Sequence, residues 1–357
     1  CRLKEERKLI QASTERQTKA LRDDIEALKS ENKALKWSLN QLARKVQEGW
    51  EYPVAIQPNE YWQDKGYEDY AIHDIKVEFL GELKTAVSEL EHGVCNSVSI
   101  VSISHVGHDE DLVPHWNALF RSFEHVNPYG AGVVLYLQSI ELNEDVMRQI
   151  CYHVRHKNIR TVHFTNNEFI DMRGMRGMRG AISELGNALK SPKLKCLTWS
   201  ENPIHNTEDM TLFTQVLSQS EALDKLKFAR NGNANTQALL SGVDFSRYNV
   251  LDFGDNNLQT NGRTDIPDLI AANPPLEKLY LYKNSLNDDD AVLIAQSLGR
   301  NTNLRRLNVR RNNIQERGMR ALYEAVNDTS TLNALSDSNH SCLLEGLPED
   351  FDLDAIN

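Results

Sequence analysis

Apolar residues recur along the C-terminal two-thirds of the chain at offsets 0, 3, 5 and 10 of a unit, with Asn at offset 8. The pattern is plainest in Leu276, Leu279, Leu281, Asn284 and Leu286, and it returns as Leu304, Leu307, Val309, Asn312 and Ile314. Upstream it runs Ile159, Val162, Phe164, Asn167, Phe169, then Leu194, Leu197, Trp199, Asn202, Ile204. Leu223, Leu226, Phe228, Asn231 and Tyr248, Leu251, Phe253, Asn256, Leu258 complete the set. Alternation puts offsets 3 and 5 on one face of a short strand, pointing inward. The Asn falls where the chain leaves the strand. Its amide can there satisfy backbone groups of the neighbouring unit, so the six asparagines are predicted to build a ladder.

The units begin at residues 159, 194, 223, 248, 276 and 304, in steps of 35, 29, 25, 28 and 28 residues. That length leaves room for a helix on the outer side of each strand. Asn287-Asp288-Asp289-Asp290 before Ala291, Leu293, Ile294 and Leu298 has the acidic start and apolar face of such a helix. Two weaker units precede these. Val98, Val101 and Ile103, and Leu135, Leu137 and Leu142, keep the apolar spacing, while Val106 and Ile140 occupy the Asn position. Leu332 and Leu335 begin a final motif in which Asp337 and His340 break the pattern, as capping units do. Ile75, Leu80, Leu83, Val87 and Leu90 form the apolar stripe of a helix over 74–92, stopped by Gly93, that closes the N-terminal end.

Residues 1–48 follow a different period. Ile25, Leu28, Asn32, Leu35, Leu39, Leu42 and Val46 alternate in steps of three and four, the a/d seam of a coiled coil. Asn32 at an a position favours a parallel pair. Asp24 and Glu31 at g face Lys29 and Lys36 at e of a partner. Before Leu21 the register weakens, with Thr14 and Thr18 in core positions. A homodimer, a heteromeric coil and a helix folded back on the repeats all fit this seam. Between it and the repeats, Trp50, Tyr52, Tyr61, Trp62, Tyr67 and Tyr70, with Pro53 and Pro58, predict an extended strap packed on the first repeat. The predicted divisions are a coiled-coil helix at 1–48, an aromatic linker at 49–73, a capping helix at 74–93, the repeats at 94–345 and an acidic tail at 346–357. Met172-Arg173-Gly174, repeated through Gly180, is predicted to be a basic flexible loop.

These spacings resemble the ribonuclease-inhibitor type of leucine-rich repeat, an α/β horseshoe with one strand and one helix per unit. Tyr61-Trp62 with Gly66-Tyr67, Leu112-Val113-Pro114-His115-Trp116, and Asp337-Ser338-Asn339-His340-Ser341-Cys342 resemble a large uncharacterised group of such proteins from diatom-type algae. The resemblance spans about residues 60–345. It implies the solenoid and no particular activity.

The net charge of −11 argues against nucleic acid as the default partner. Cysteines at 1, 95, 151, 196 and 342 show no zinc or disulfide spacing, which fits a reducing compartment, cytoplasmic or nuclear. No apolar run approaches the roughly 18 residues of a membrane span. The chain opens on Cys rather than Met, which leaves room for a targeting segment upstream. No phosphate loop, nucleophile elbow or zinc-protease motif is present, and the chain is read as a non-enzyme without cofactor or metal. His108, Asp109, Asp111 and His115 form the best metal-like cluster, but capping of the following helix accounts for the acids.

Function is expected on the concave face, where offsets 2, 4, 6 and 7 project. There the chain offers Lys225, Lys227 and Arg230, then Lys278, Tyr280, Tyr282 and Lys283, then Arg306, Asn308, Arg310 and Arg311, with Asp252 and Asp255 between. Earlier units offer Thr161, His163, Thr165, Thr198 and Ser200. Such a basic, tyrosine-bearing patch on an acidic chain fits an acidic protein partner; the competing reading is a solvated face whose charges pair among themselves. The expected protein is a scaffold or adaptor dimerised by its coil. Two alternatives stand beside it. One is a truncated basic leucine-zipper-like regulator with a repeat sensor domain, suggested by Cys1-Arg2 before the seam and weakened by Glu5, Glu6 and an off-register Ala12. The other is a GTPase-activating protein of the leucine-rich repeat type, for which Arg310 or Arg311 would be the candidates.

Overall fold

The computed structural model describes residues 2–346 except 172, 300 and 328–337, with side chains described from residue 14 onward. In chain order, helix α1 runs Arg2–Glu48, α2 Asn59–Asp64 and α3 Asp69–His73; a π-helical turn Asp74–Phe79 leads into α4 Leu80–Glu91. There follow β1 Ser97–Val106, α5 Val113–Ser122, β2 Val133–Asn143, α6 Glu144–His156, β3 Ile159–Thr165 and β4 Glu168–Ile170. Then come α7 Arg179–Ala188, β5 Cys196–Ser200, α8 Thr207–Ser218, β6 Lys225–Lys227, α9 Asn233–Gly242, β7 Val250–Asp252 and α10 Asp265–Ala271. The last elements are β8 Lys278–Tyr280, α11 Asp288–Leu298, β9 Arg306–Asn308, α12 Glu316–Asn327 and β10 Leu343–Glu345.

One parallel sheet runs β1-β2-β3-β5-β6-β7-β8-β9-β10, each strand beside its successor, with β4 paired to the end of β2. The helices pack on the other side. The register places Val98, Leu135, Val162, Leu197, Leu226, Leu251, Leu279, Leu307 and Leu344 in a single row. All but Leu344 are essentially fully buried. At about 2 kcal/mol for each such aliphatic side chain, this row is a major part of what holds the units together. A second row at offset 5 carries the bulk: Phe164 and Phe169 pack on Trp199, which meets Phe213, which meets Phe228, at centroid distances of 5.1 to 5.7 Å.

The asparagine ladder forms. Asn256 donates to the carbonyls of Phe228 (2.6 Å) and Phe253 (3.0 Å) and accepts from the N–H groups of Asn231 (2.7 Å) and Gly232 (3.1 Å). Asn202, Asn231, Asn284, Asn312 and Asn167 repeat the pattern. In the unit before it, Ile140 offers no amide, and its own N–H is taken by Asn167 Oδ1 at 3.2 Å. Asn287 caps α11 as the first helical turn predicts, in a reciprocal box with Asp290.

Several expectations need correction. In the first unit the inward pair is Val98 and Ile100, both 0% exposed; Ile103, expected to point inward, is 90% exposed. The unit starts three residues earlier than the apolar spacing suggests, and a bulge between Val101 and Val106 interrupts the pairing with β2. The 49–73 segment is not wholly extended: Pro58 opens α2, and the capping helix begins at Asp69 rather than Asp74. The turn at 173–178 is held by Asp171, whose carboxylate accepts from the N–H groups of Arg173 (2.8 Å) and Met175 (2.9 Å), while Arg176 pairs with Glu168 at 2.9 Å; Arg179 and Gly180 already belong to α7. At the other end, the final motif proposed from Leu332, Leu335 and Asp337 lies outside the described residues. The last described strand is β10, aligned Leu343 to Arg306. Asn339, not His340, is the buried amide there, donating to the Leu304 carbonyl at 3.3 Å. Cys1, Met172 and residues 347–357 of the acidic tail also lie outside the described residues.

Candidate functional site

The open face of the sheet carries parallel rows, one residue from each strand. The central row reads Ser99, Tyr136, His163, Thr198, Lys227, Asp252, Tyr280, Asn308 and Glu345. A flanking row runs Cys196, Lys225, Val250, Lys278, Arg306 and Leu343. At the strand exits, one residue per unit adopts a left-handed conformation: Ser139, Asn166, Glu201, Arg230, Asp255, Lys283 and Arg311, all with φ between 52° and 57°. A non-glycine residue there is strained. Its regular recurrence at offset 7 aims each of these side chains alike.

From Glu201 to Lys283 that column alternates in charge. Arg230 is bonded to Glu201 on one side and to Asp255 on the other, the latter at 2.9 Å; Lys283 reaches Asp255 at 3.2 Å. Burial raises the Asp255 carboxyl, but Arg230 and Lys283 outweigh it and hold the group below the usual range. In the central row Lys227 approaches Asp252 at 3.8 Å. Asp252 is only 4% exposed, and burial pushes its carboxyl up despite the Gly254 N–H and Lys227. At the C-terminal edge Arg306 pairs with Glu345 at 3.4 Å, and Asn308 donates to the same carboxylate at 2.8 Å.

The eleven predicted residues thus share one face but differ in state. Lys227, Arg230, Lys283, Arg306 and Asn308 are engaged by Glu201, Asp252, Asp255 and Glu345. Lys225, Lys278, Arg310 and Arg311 are exposed and have no acidic partner among the described residues. Tyr280 and Tyr282 are half-buried between the two groups. The Tyr282 ring lies across Gly254, where a Cβ would fall 2.3 Å from the ring. Burial and the nearby Asp252 and Asp255 raise its phenol. The engaging role of Glu201 and Glu345 escaped sequence reasoning. Both acids occupy offsets counted for the cations, 7 and 4, and so were open to the same count.

Toward the N-terminus the face is aromatic. Tyr136 stacks on His163 at 4.1 Å, and burial, with Lys227 assisting, lowers the His163 imidazole to about 4. The metal-like cluster is taken apart. Asp109 and Asp111 both receive Lys65 at 2.7 Å; Tyr67 donates to Asp109 and Tyr61 to Asp111. His108 meets Asn143 at 3.0 Å, and His115 meets the Tyr52 hydroxyl at 2.9 Å, with the two rings stacked. The aromatic strap therefore packs on the first units through Trp62, which is buried, and through these phenols, while Tyr70 stays exposed.

A second exposed surface lies on α1. Leu28, Leu35, Leu39 and Val46 are 62 to 71% exposed, and Ile25 and Leu42 are also open. No described helix is long and apolar enough to cross a membrane.

The repeating strand, its asparagine and its outer helix make this an α/β solenoid. Residues 300–322 match the family described as Leucine Rich repeat. Among solved structures, an internalin from Listeria monocytogenes strain 4b F2365 is similar at 11% identity, covering 76% of this chain and 95% of that chain with a TM-score of 0.23. No curated protein matches. The assignment of fold rests on the strand pairing and the buried rows described above.

Proposed function

We propose that this chain is a non-catalytic scaffold, dimerised by α1, that binds an acidic protein on the concave face of its repeats. The observation that carries the reading is the separation of the basic patch into spent and unspent cations. A face whose charges served only one another would have each cation beside an acid. Here Lys225, Lys278, Arg310 and Arg311 stand without one among the described residues, around two half-buried tyrosines. Desolvated tyrosine and arginine are favoured interface anchors, and unpaired cations draw acidic surfaces at long range. The paired set, Arg230 with Glu201 and Asp255 above all, fixes the platform beneath.

The parallel dimer rests on the seam of α1, on Asn32 at its a position, and on Asp24 and Glu31 facing Lys29 and Lys36. Two linked faces gain avidity for a partner with more than one acidic site. The test is capture from native lysate with the intact chain and with Lys225, Lys278, Arg310 and Arg311 reversed to Glu. Loss of specific partners on reversal supports the reading. Retention of every partner overturns it and moves attention to the seam and the strap.

A further inference from the structure

Helix α1 is attached to its own repeat domain, and the side it uses is not the seam. In the heptad that places Ile25, Asn32, Leu39 and Val46 at a, the docked residues fall at b, c, f and g. Gly93, at the end of the capping helix, has φ of 70° and no room for a side chain. A Cβ there would lie 2.7 Å from Gln41 Cβ and 2.9 Å from the Trp37 ring. Asn127 donates to the Ala34 carbonyl at 3.0 Å and to Ser38 Oγ at 3.2 Å. Lys45 pairs with Glu91 at 2.7 Å with both side chains under 20% exposed, and Lys33 stands over the Tyr129 ring at 5.2 Å. Just past the helix, Trp50 packs edge-on to His92 at 5.8 Å.

Position f lies diametrically across the helix from the a/d seam. The a/d seam itself stays open beside the docked face, with Ser38 and Lys45 at its g edge engaged by the repeats. We propose that α1 is a rigid bracket: it pairs in parallel with a second copy of this chain through the seam while its opposite face stays docked on its own cap. This rests on the dimer reading above. The occupant is a second copy because the exposed g and e positions are self-complementary, Lys29 resting meanwhile on Glu26 of its own helix in an open surface pair. Asp24 and Glu31 face Lys29 and Lys36 of an identical helix, whereas the later g residues, Ser38 and Lys45, are already engaged with the repeats. The two horseshoes then flank the coil at one separation. The ligand class this selects is an acidic partner with two sites at fixed spacing.

The experiment is light scattering for mass with small-angle X-ray scattering for shape, on the whole chain and on Trp37→Glu with Asn127→Ala. An f-position glutamate is compatible with a coiled coil and removes the docking ring. The intact chain is expected to be a dimer whose profile fits a single arrangement. The double variant is expected to keep the dimer mass and to show a larger radius of gyration and maximum dimension. Identical profiles at dimer mass overturn the bracket while leaving the dimer standing. A monomeric intact chain overturns both the second-copy occupant and the dimer reading, and an expanded double variant at monomer mass would then show that docking alone is real.

Discussion

Replacing Asn256 with Ala probes the ladder where it is most fully engaged. Asn256 is 1% exposed, and its side chain makes four hydrogen bonds across two units. The Phe253 carbonyl keeps a second donor, Asn284 Nδ2 at 2.9 Å, so three groups lose their side-chain partner: the Phe228 carbonyl and the N–H groups of Asn231 and Gly232. At about 1 to 1.5 kcal/mol for each of the two buried groups, the Phe228 carbonyl and the Asn231 N–H, and little for the exposed Gly232, the expected loss is about 2 to 3 kcal/mol. The matched variant Asn312→Ala sits in a half-buried position near the end of the sheet. The Leu281 carbonyl that it contacts also receives Asn284 at 3.0 Å. Its loss should be about half as large. Urea unfolding gives the totals, and amide hydrogen exchange gives the site: protection should fall first at Asn231 and Gly232. A loss under about 1 kcal/mol for Asn256→Ala, or a larger loss for Asn312→Ala, would refute the claim that these amides carry the stacking.

Three further outcomes follow from the same contacts. His153, 5% exposed, stacked on Phe120 and tilted against Phe123, is lowered to about 4 by burial and by Lys157, and His163 to about the same value. Both folded values lie below the unfolded value of about 6.5, so their stabilising contribution is complete above that pH and is lost as pH falls from about 6.5 to 4. Melting followed between pH 7.5 and 4.5 should show this decline, and His153→Phe should flatten it. Gly254→Ala must push the Tyr282 ring off the strand, yet Gly254 has no left-handed backbone to strain; partner affinity should drop at least several-fold with a melting shift of only a few degrees. Leu28→Glu with Leu35→Glu should convert the chain to a monomer by light scattering without moving the melting of the repeats, because both leucines are more than 60% exposed.

The repeats were legible because their apolar spacing is dictated by the strand. Offsets 3 and 5 must both face the core, and a misplaced leucine would meet water. The reading slipped where that rule is relaxed. In the first unit the bulge after Val101 adds residues, and Ser102 and the Ile103 N–H are instead fixed by Glu78, at 2.6 and 2.8 Å, a contact no periodicity announces. The concave face was found as a surface but not as a circuit. Lys283 and Arg311 occupy the same offset, and only the identity of the neighbouring strand's residue decides that one meets Asp255 and the other meets no acid among the described residues. Likewise the seam of α1 was visible in its leucines. The docking face was not, because Ala34, Trp37, Ser38 and Gln41 become a surface only once Gly93 and Asn127 are placed against them.

The most direct test of the scaffold reading is a binding titration of a captured partner against the intact chain and two charge reversals, at low and at physiological salt. One variant reverses the unpaired Lys225, Lys278, Arg310 and Arg311. The other exchanges Arg306 and Glu345, whose charges pair with each other. The account predicts that the first reversal weakens binding by at least 100-fold and removes most of its salt dependence, while the exchanged pair binds within a few-fold of the intact chain. Equal affinity for the intact chain and the fourfold reversal would contradict it.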